Sequence, residues 1–494
     1  MTSTLRRASI CGLIALAGAV LLATGAMPTA LRGHGGAPTP RQSRGAVAPL
    51  QPAADAPVPS NVVRQGFPAA GYDPADVTKS ETAWEVEWEL THPTNKPYFP
   101  PGSVLRIKSA KFMWRDRTGK PQWVTVARML ELAEIYVPYD NGTTAFLDVH
   151  DMSFYMTPAR KEFLGPACVA PGEILQSSNP YWSGTVHKEI HDDGIRWMSA
   201  ETNDRNQLAD RARRGEKMIL WGTYYGANYR YLIEYGFGDD GMLSCRIGPT
   251  GRNIFNRQDD QKDTHLHIGC WRFEPDLGDP TATASGVASA PRGGPKDNDV
   301  FLVRRVFDDS TERFAQVARP FAKNSSNQAC EGNARWSPEE FTVLRFASKV
   351  RKNAHGRPIA YDLITHRFGA LRQLQPEGGS YSADMDFINH DFWVTRTESG
   401  NTSYIDVPRY AGQRRPLAGF PMTIWHCTPA LHVARGEDFG ATDGRNSYGG
   451  VALTFWTGFY LKPRDLFDHT PLYPPLANPR AAFAASRAPR SNTP

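Results

Sequence analysis

One stretch constrains this chain more than any other. Trp221-Gly-Thr-Tyr-Tyr-Gly-Ala-Asn-Tyr-Arg-Tyr-Leu-Ile-Glu-Tyr-Gly-Phe237 is crowded with aromatic residues and centred on Asn228-Tyr229. Asp239-Asp240-Gly241 follows. Asp-Gly tolerates the positive φ that a tight hairpin turn requires, and the strand-like Met242-Leu-Ser-Cys-Arg-Ile247 comes next. A chain with this hairpin at its centre is committed to antiparallel β structure.

The remainder agrees. Strict alternation in Trp84-Glu-Val-Glu-Trp-Glu-Leu90 marks a half-buried strand. Val104–Ile107, Ala110–Trp114, Trp123–Ala127 and Met129–Pro138 follow, with a turn at Arg117-Thr-Gly-Lys120. Phe392–Arg396, Met422–Trp425 and Leu453–Leu461 also read as strands. The 39 Pro, 43 Gly and 11% aromatic residues favour strands and loops over long helices. The expected fold is all-β, a large antiparallel β-sandwich with few short helices. Helical signals are confined to a polar segment at Asn203–Arg214 and the cap chemistry of Ser337-Pro-Glu-Glu340.

The organisation follows composition. Arg6 and Arg7 before the apolar run Ala8–Ala23 mark residues 1–26 as a signal peptide, with an uncleaved membrane anchor as the alternative, and export to the periplasm or beyond is expected. Residues 27–79, rich in Pro, Ala and Gly, read as a linker. One β-domain spans 80–477, the Gly- and Ala-rich segment Thr281–Asn298 is a mobile loop, and 478–494 form a tail. Net charge is +5 without a long Lys/Arg run, so there is no electrostatic footprint for nucleic acid. Five cysteines beyond the signal peptide are too sparse for a disulfide scaffold.

Several residues could carry chemistry. On a strand, His265 and His267 share a face and can address one ion, although surface histidines have the same spacing. His432 and His426 are alternatives for a third imidazole, and either could instead be a hydrogen-bonded core histidine. Asp148, flanked by apolar residues, could have a raised pKa and act as a base, with Asp151 as its rival. Spacing alone does not separate Tyr229 from Tyr224, Tyr225, Tyr231 and Tyr235, which together read as an aromatic sheet face.

Taken together, these residues resemble the catalytic β-domain of the copper-containing amine oxidases over about residues 80–477. That family's quinone motif is Thr-x-x-Asn-Tyr-Asp/Glu, and this chain has Tyr225-Gly-Ala-Asn-Tyr-Arg230. The paired ligands match His265 and His267. His432-Val-Ala-Arg-Gly-Glu-Asp438 is similar to the third-ligand segment and selects His432 over His426. Phe146-Leu-Asp148, shortly after Val137-Pro-Tyr139, is similar to the catalytic-base segment. Asn389–Arg396 and Phe459–Asp468 match two further family segments.

The resemblance implies copper(II) on His265, His267 and His432, and a topaquinone derived from Tyr229 beside Asn228. It implies that a primary amine condenses with the quinone and that Asp148 removes the α-proton. An aldehyde, ammonia and hydrogen peroxide are then released as dioxygen restores the quinone. Tyr139 would hydrogen-bond a quinone oxygen, and Phe146 would gate a channel suited to aromatic or aliphatic amines. A homodimer is implied, as is a structural calcium for which Glu274 keeps one acid and Pro421 replaces another. The departures are Arg230 for an acid, Tyr225 for a threonine, and a family disulfide whose halves fall at Cys168 and near His187. The alternatives are an inactive metal-binding β-sandwich and a binding module with vestigial histidines.

Overall fold

The computed structural model describes residues 61–91, 104–140, 145–149, 155–165, 168–180, 182–199, 211–226, 228–251, 264–278, 297–367, 386–397, 404–435, 438, 451–469 and 472. Among them run β1 (Val62–Phe67), β2 (Thr82–Leu90), β3 (Leu105–Arg115), β4 (Pro121–Pro138), β5 (Ala145–Leu147), β6 (Cys168–Ile174), β7 (His187–Ser199), β8 (Arg211–Gly226), β9 (Tyr229–Gly238) and β10 (Leu243–Gly251). Then follow β11 (His265–Pro275), β12 (Asn298–Asp308), β13 (Arg313–Pro320), β14 (Gly332–Ala334), β15 (Val343–Lys352), β16 (Pro358–His366), β17 (Phe392–Arg396), β18 (Met422–His432) and β19 (Thr457–Arg464).

They form two antiparallel sheets, as the strand patterns predict. One has nine strands in the order β1-β2-β3-β4-β11-β18-β17-β14, with β5 added to β4. The other has ten, in the order β13-β12-β15-β16-β19-β10-β9-β8-β7-β6. The main core lies between them. Alternation sends Trp84, Val86 and Trp88 of β2 inward against Phe112, Tyr235 and Phe237, while Glu85 and Glu87 stay partly solvated. Polar tips of inward aromatics tie sheet to sheet: Trp84 Nε1 donates to the Gly238 carbonyl at 2.8 Å, and Tyr235 donates to the Leu105 carbonyl at 2.9 Å. The Asp239–Gly241 turn joins β9 to β10 as expected. Gly241 has φ +82°, and a Cβ there would stand 2.9 Å from the Phe112 ring.

Some expectations change. The linker boundary at 79 is too late, because Val62–Phe67 pairs with β2; a six-residue strand was hidden by the Pro- and Ala-rich composition around it. Paired segments read as separate strands merge into the continuous β3 and β4. Ser337 caps the backbone N–H of Glu340 at 3.2 Å, but Phe341 at φ +45° ends the turn before a helix forms. Among the described residues, a short α-helix lies instead at Val407–Gly412, with Pro408 in its first turn. Arg211–Arg214 belongs to β8, because Arg213 and Arg214 pair with β7. The last strand begins at Thr457, four residues after Leu453. The proposed signal peptide, most of the linker, residues 203–210 and 281–296, the tail and Asp151 lie outside the described residues.

Candidate metal and tyrosine site

The site forms at one end of the sandwich, where β4, β5 and β18 finish and β9 and β11 begin. Alternation on β11 turns His265 and His267 toward the ten-stranded sheet. Leu266, Ile268 and Cys270 face the other way, into an apolar cluster with Trp393, Tyr404 and Trp425. Both faces of β11 are therefore buried, which holds its histidines on a rigid element. β18 pairs antiparallel with β11 and sets His432 opposite His265.

The three imidazoles converge, with ligand nitrogens within 4.8 Å of one another. The Tyr229 hydroxyl enters from the facing sheet, 2.6 Å from His432 Nδ1 and 3.1 Å from His265 Nε2. His432 Nε2 donates to Asp438 at 3.0 Å, so its Nδ1 keeps a lone pair for the centre of the cluster. Asp438 is held by Arg435, whose guanidinium lies 2.9 Å away. His267 Nδ1 meets the Tyr231 hydroxyl at 3.0 Å, while its buried Nε2 has no hydrogen-bond partner. An orphaned buried nitrogen beside two further imidazoles and a phenol is a donor set that suits copper(II). Burial pushes the pKa of His267 well below its usual range. It also lowers that of His432, against the opposing pull of Asp438. Both rings are thus neutral at pH 7, the form that binds metal.

The other predicted residues gather round this cluster. Tyr139 follows β4, is buried, and stacks on His265 with ring centroids 4.1 Å apart. Phe146 presents its ring edge-on to Tyr139 at 6.0 Å. Asp148 follows β5 and is anchored by its N–H to the Ile135 carbonyl at 2.9 Å. Burial raises its carboxyl pKa to about 7, opposed by a hydrogen bond from Tyr231. Asn228 is half-buried just before β9. Its carbonyl and the Tyr229 Cα press so closely on Gly251 that a Cβ there would lie 2.5 and 2.6 Å from them. Burial pushes the Tyr229 phenol well above its usual range, with nearby Tyr139, Asp438 and Asp148 adding to the effect.

The rival histidine has another occupation. His426 shares its nitrogens with the Asp391 carbonyl at 2.8 Å and Thr365 Oγ1 at 3.1 Å, and it stacks on Phe392 in the core. Glu274 is ion-paired with Arg272, so a guanidinium already supplies the positive charge a calcium would bring. Cys245, Cys270, Cys330 and Cys427 are free thiols.

Two neighbours escaped the sequence reading. Tyr231 bridges Asp148 and His267. Its signal was its spacing, two residues beyond Tyr229 and hence on the same strand face. Glu134, fully buried on β4, accepts N–H bonds from Ile135 and Val149, each at 2.8 Å, and so braces the segment carrying Asp148. Burial raises its pKa to about 8, against the lowering effect of those bonds.

A two-sheet sandwich that brings three buried imidazoles together against a buried phenol is a β-protein with a copper-type site. A family model described as copper amine oxidase, enzyme domain, matches residues 125–477, and the chain belongs to that family. The primary amine oxidase of Klebsiella aerogenes is 24% identical over 302 residues, covering 52% of this chain and 35% of that protein. Copper amine oxidase 1 of Schizosaccharomyces pombe is 23% identical over 358 residues, covering 63% of this chain and 47% of that protein. The chain thus spans less than half the length of these curated relatives. Among solved structures, a copper-containing benzylamine oxidase from Hansenula polymorpha aligns with TM-score 0.55 and 16% identity over 80% of this chain and 61% of that one. An Aspergillus nidulans amine oxidase aligns with TM-score 0.54 and 13% identity over 87% of this chain and 56% of that one. Identities this low speak to the shared fold alone.

Proposed function

We propose that this chain is an exported oxidase converting primary amines to aldehydes, with release of ammonia and hydrogen peroxide. His265, His267 and His432 hold copper(II), and Tyr229 is the precursor of a topaquinone. One observation carries this reading: the Tyr229 hydroxyl lies within hydrogen-bonding reach of two of the three converging imidazoles. Copper with dioxygen supplies the oxidation of that ring, and the resulting quinone supplies the electron sink for the amine.

The protein's own groups do the rest. Asp148 takes the α-proton of the amine, and a carboxyl poised near pH 7 suits a base that must both accept and return it. Tyr139, stacked on His265, hydrogen-bonds the modified ring and keeps its orientation. Phe146 narrows the approach and favours amines with aromatic or aliphatic tails. Export rests on Arg6, Arg7 and the apolar run after them. Pairing into a homodimer rests on the family resemblance.

A second reading, a metal-binding sandwich that never makes the quinone, has Arg230 and Tyr225 in its favour, the two departures from the family motif. Purified protein given copper(II) and air decides between them. The oxidase should turn pink and form a coloured adduct with phenylhydrazine, and Tyr229→Phe should do neither. A colourless protein with stoichiometric copper sinks the oxidase, and one without metal sinks both readings.

A further inference from the structure

Tyr231 sits on the inner face of β9, two residues from Tyr229, with the two rings stacked at 6.2 Å and 27°. It is fully buried. Its hydroxyl touches two groups of different purpose: it donates to Asp148 Oδ2 and meets His267 Nδ1 at 3.0 Å. Room for this ring comes from Gly226 on β8. A Cβ there would lie 2.6 Å from Tyr231 Cε2 and 3.7 Å from Asp148 Oδ2. Larger side chains at 226 would push the phenol off both partners.

Proton counting fixes the directions. His267 Nε2 is the nitrogen without a protein partner, so it must carry the lone pair if the residue is to bind metal. Its proton then resides on Nδ1 and is donated to the Tyr231 oxygen. The phenol has one proton of its own, and that proton goes to Asp148 Oδ2. Oδ2 is thereby engaged by Tyr231, and Oδ1, which Tyr231 does not touch, is the freer oxygen to meet the substrate.

We propose that Tyr231 is a positioning residue for amine oxidation, whose single hydroxyl fixes the metal-binding tautomer of His267 and the working oxygen of Asp148 together. This rests on the oxidase reading for the role of Asp148, but not for the role of His267. Losing the hydroxyl therefore has two separate consequences. Copper is held less firmly, because the second nitrogen of a ligand imidazole loses the acceptor that orients it. Asp148 loses a hydrogen bond that favours its charged form, so it holds its proton to higher pH.

Tyr231→Phe tests both consequences. In a Tyr229→Phe background, where no quinone can form, adding Tyr231→Phe should weaken copper(II) affinity about 10–100-fold by competition with a chelator. In the protein with Tyr229 intact, the acid limb of kcat/KM should move to higher pH. Gly226→Ala, which keeps the phenol but crowds its ring, should shift both readouts in the same direction and serves if Tyr231→Phe does not fold. An unchanged copper affinity, or an unmoved acid limb in an active enzyme, overturns the proposal, since one hydroxyl is claimed to serve both ends. A wild-type chain that makes no quinone removes the oxidase reading, and the copper measurement then still decides whether Tyr231 holds His267.

Discussion

The two walls of the site are built differently. The nine-stranded wall, β11 and β18, buries all three histidines, and β11 is buried on both faces where His265 and His267 stand. The ten-stranded wall, β8 and β9, keeps Tyr229 and Tyr231 inside but leaves Tyr225 and Arg230 half-exposed outside. Both departures from the quinone motif lie on that outer face. Tyr225 and Arg230 are direct cross-strand partners, and the guanidinium stands 4.0 Å from the Tyr225 ring centroid. The lesson is one of strand geometry. With a period of two, the outside of a strand can be rewritten while the inside keeps its chemistry.

The largest expected effect lies in the buried wall. His267→Ala or His432→Ala should abolish stoichiometric copper binding and with it the phenylhydrazine adduct. His426→Ala, from the core of the same sheet, should keep copper if the protein folds. Metal analysis of the folded variants checks this, and copper retained in full by both site variants would break the assignment of that wall. Next comes Asp148→Asn. It should preserve the quinone colour and lower kcat by about 10²–10⁴-fold, the usual share of a general base. Turnover at the parental rate would remove Asp148 from its role.

How much of this was legible in the sequence depends on which wall is read. The shared face of His265 and His267 was readable from their two-residue spacing on a strand, but their role as ligands came from the family resemblance. His432 needed the family resemblance. Alone it looks like His426, and only the structure shows His426 tied to Asp391 and Thr365. The sandwich was readable from alternation, whereas β1 was not, because Val62–Phe67 lies in Pro- and Ala-rich surroundings and gains its order from pairing with β2. Tyr231 and Glu134 were hidden for a different reason. Each fits an ordinary strand pattern, and what makes it special is a contact with residues far away in the chain.

Glu134 sharpens the description of the buried wall through stability. Its pKa is raised to about 8 by burial, while an unfolded glutamate titrates near 4.3. The native protein keeps this proton over a range where the unfolded chain has released it, so stability falls as pH rises from about 4.3 to about 8. Glu134→Gln keeps an acceptor for the Ile135 and Val149 N–H groups but cannot ionise. The metal-free variant should match its parent near pH 4 and exceed it near pH 8, by at most a few kcal/mol. Urea unfolding at the two pH values checks this, and equal stability at pH 8 contradicts it.

The smallest effect belongs to the exposed wall, and it bears most directly on whether the departures matter. If Arg230 and Tyr225 act as one unit, each single reversion toward the family motif leaves a partner stranded. Tyr225→Thr removes the ring from beneath a cation that also donates to the Tyr229 carbonyl at 3.1 Å. Arg230→Asp removes the cation and that tie together. The double change loses the pair only once, so its destabilisation should be less than the sum of the single ones, by about 0.5–1 kcal/mol. The quinone yield of the double variant should equal that of the parent, because neither side chain reaches the inner face. Strict additivity would mean that the two departures are independent. A changed yield in the double variant would mean that the outer face does act on Tyr229, and the separation of the strand's two faces would fail at the position where the chemistry depends on it.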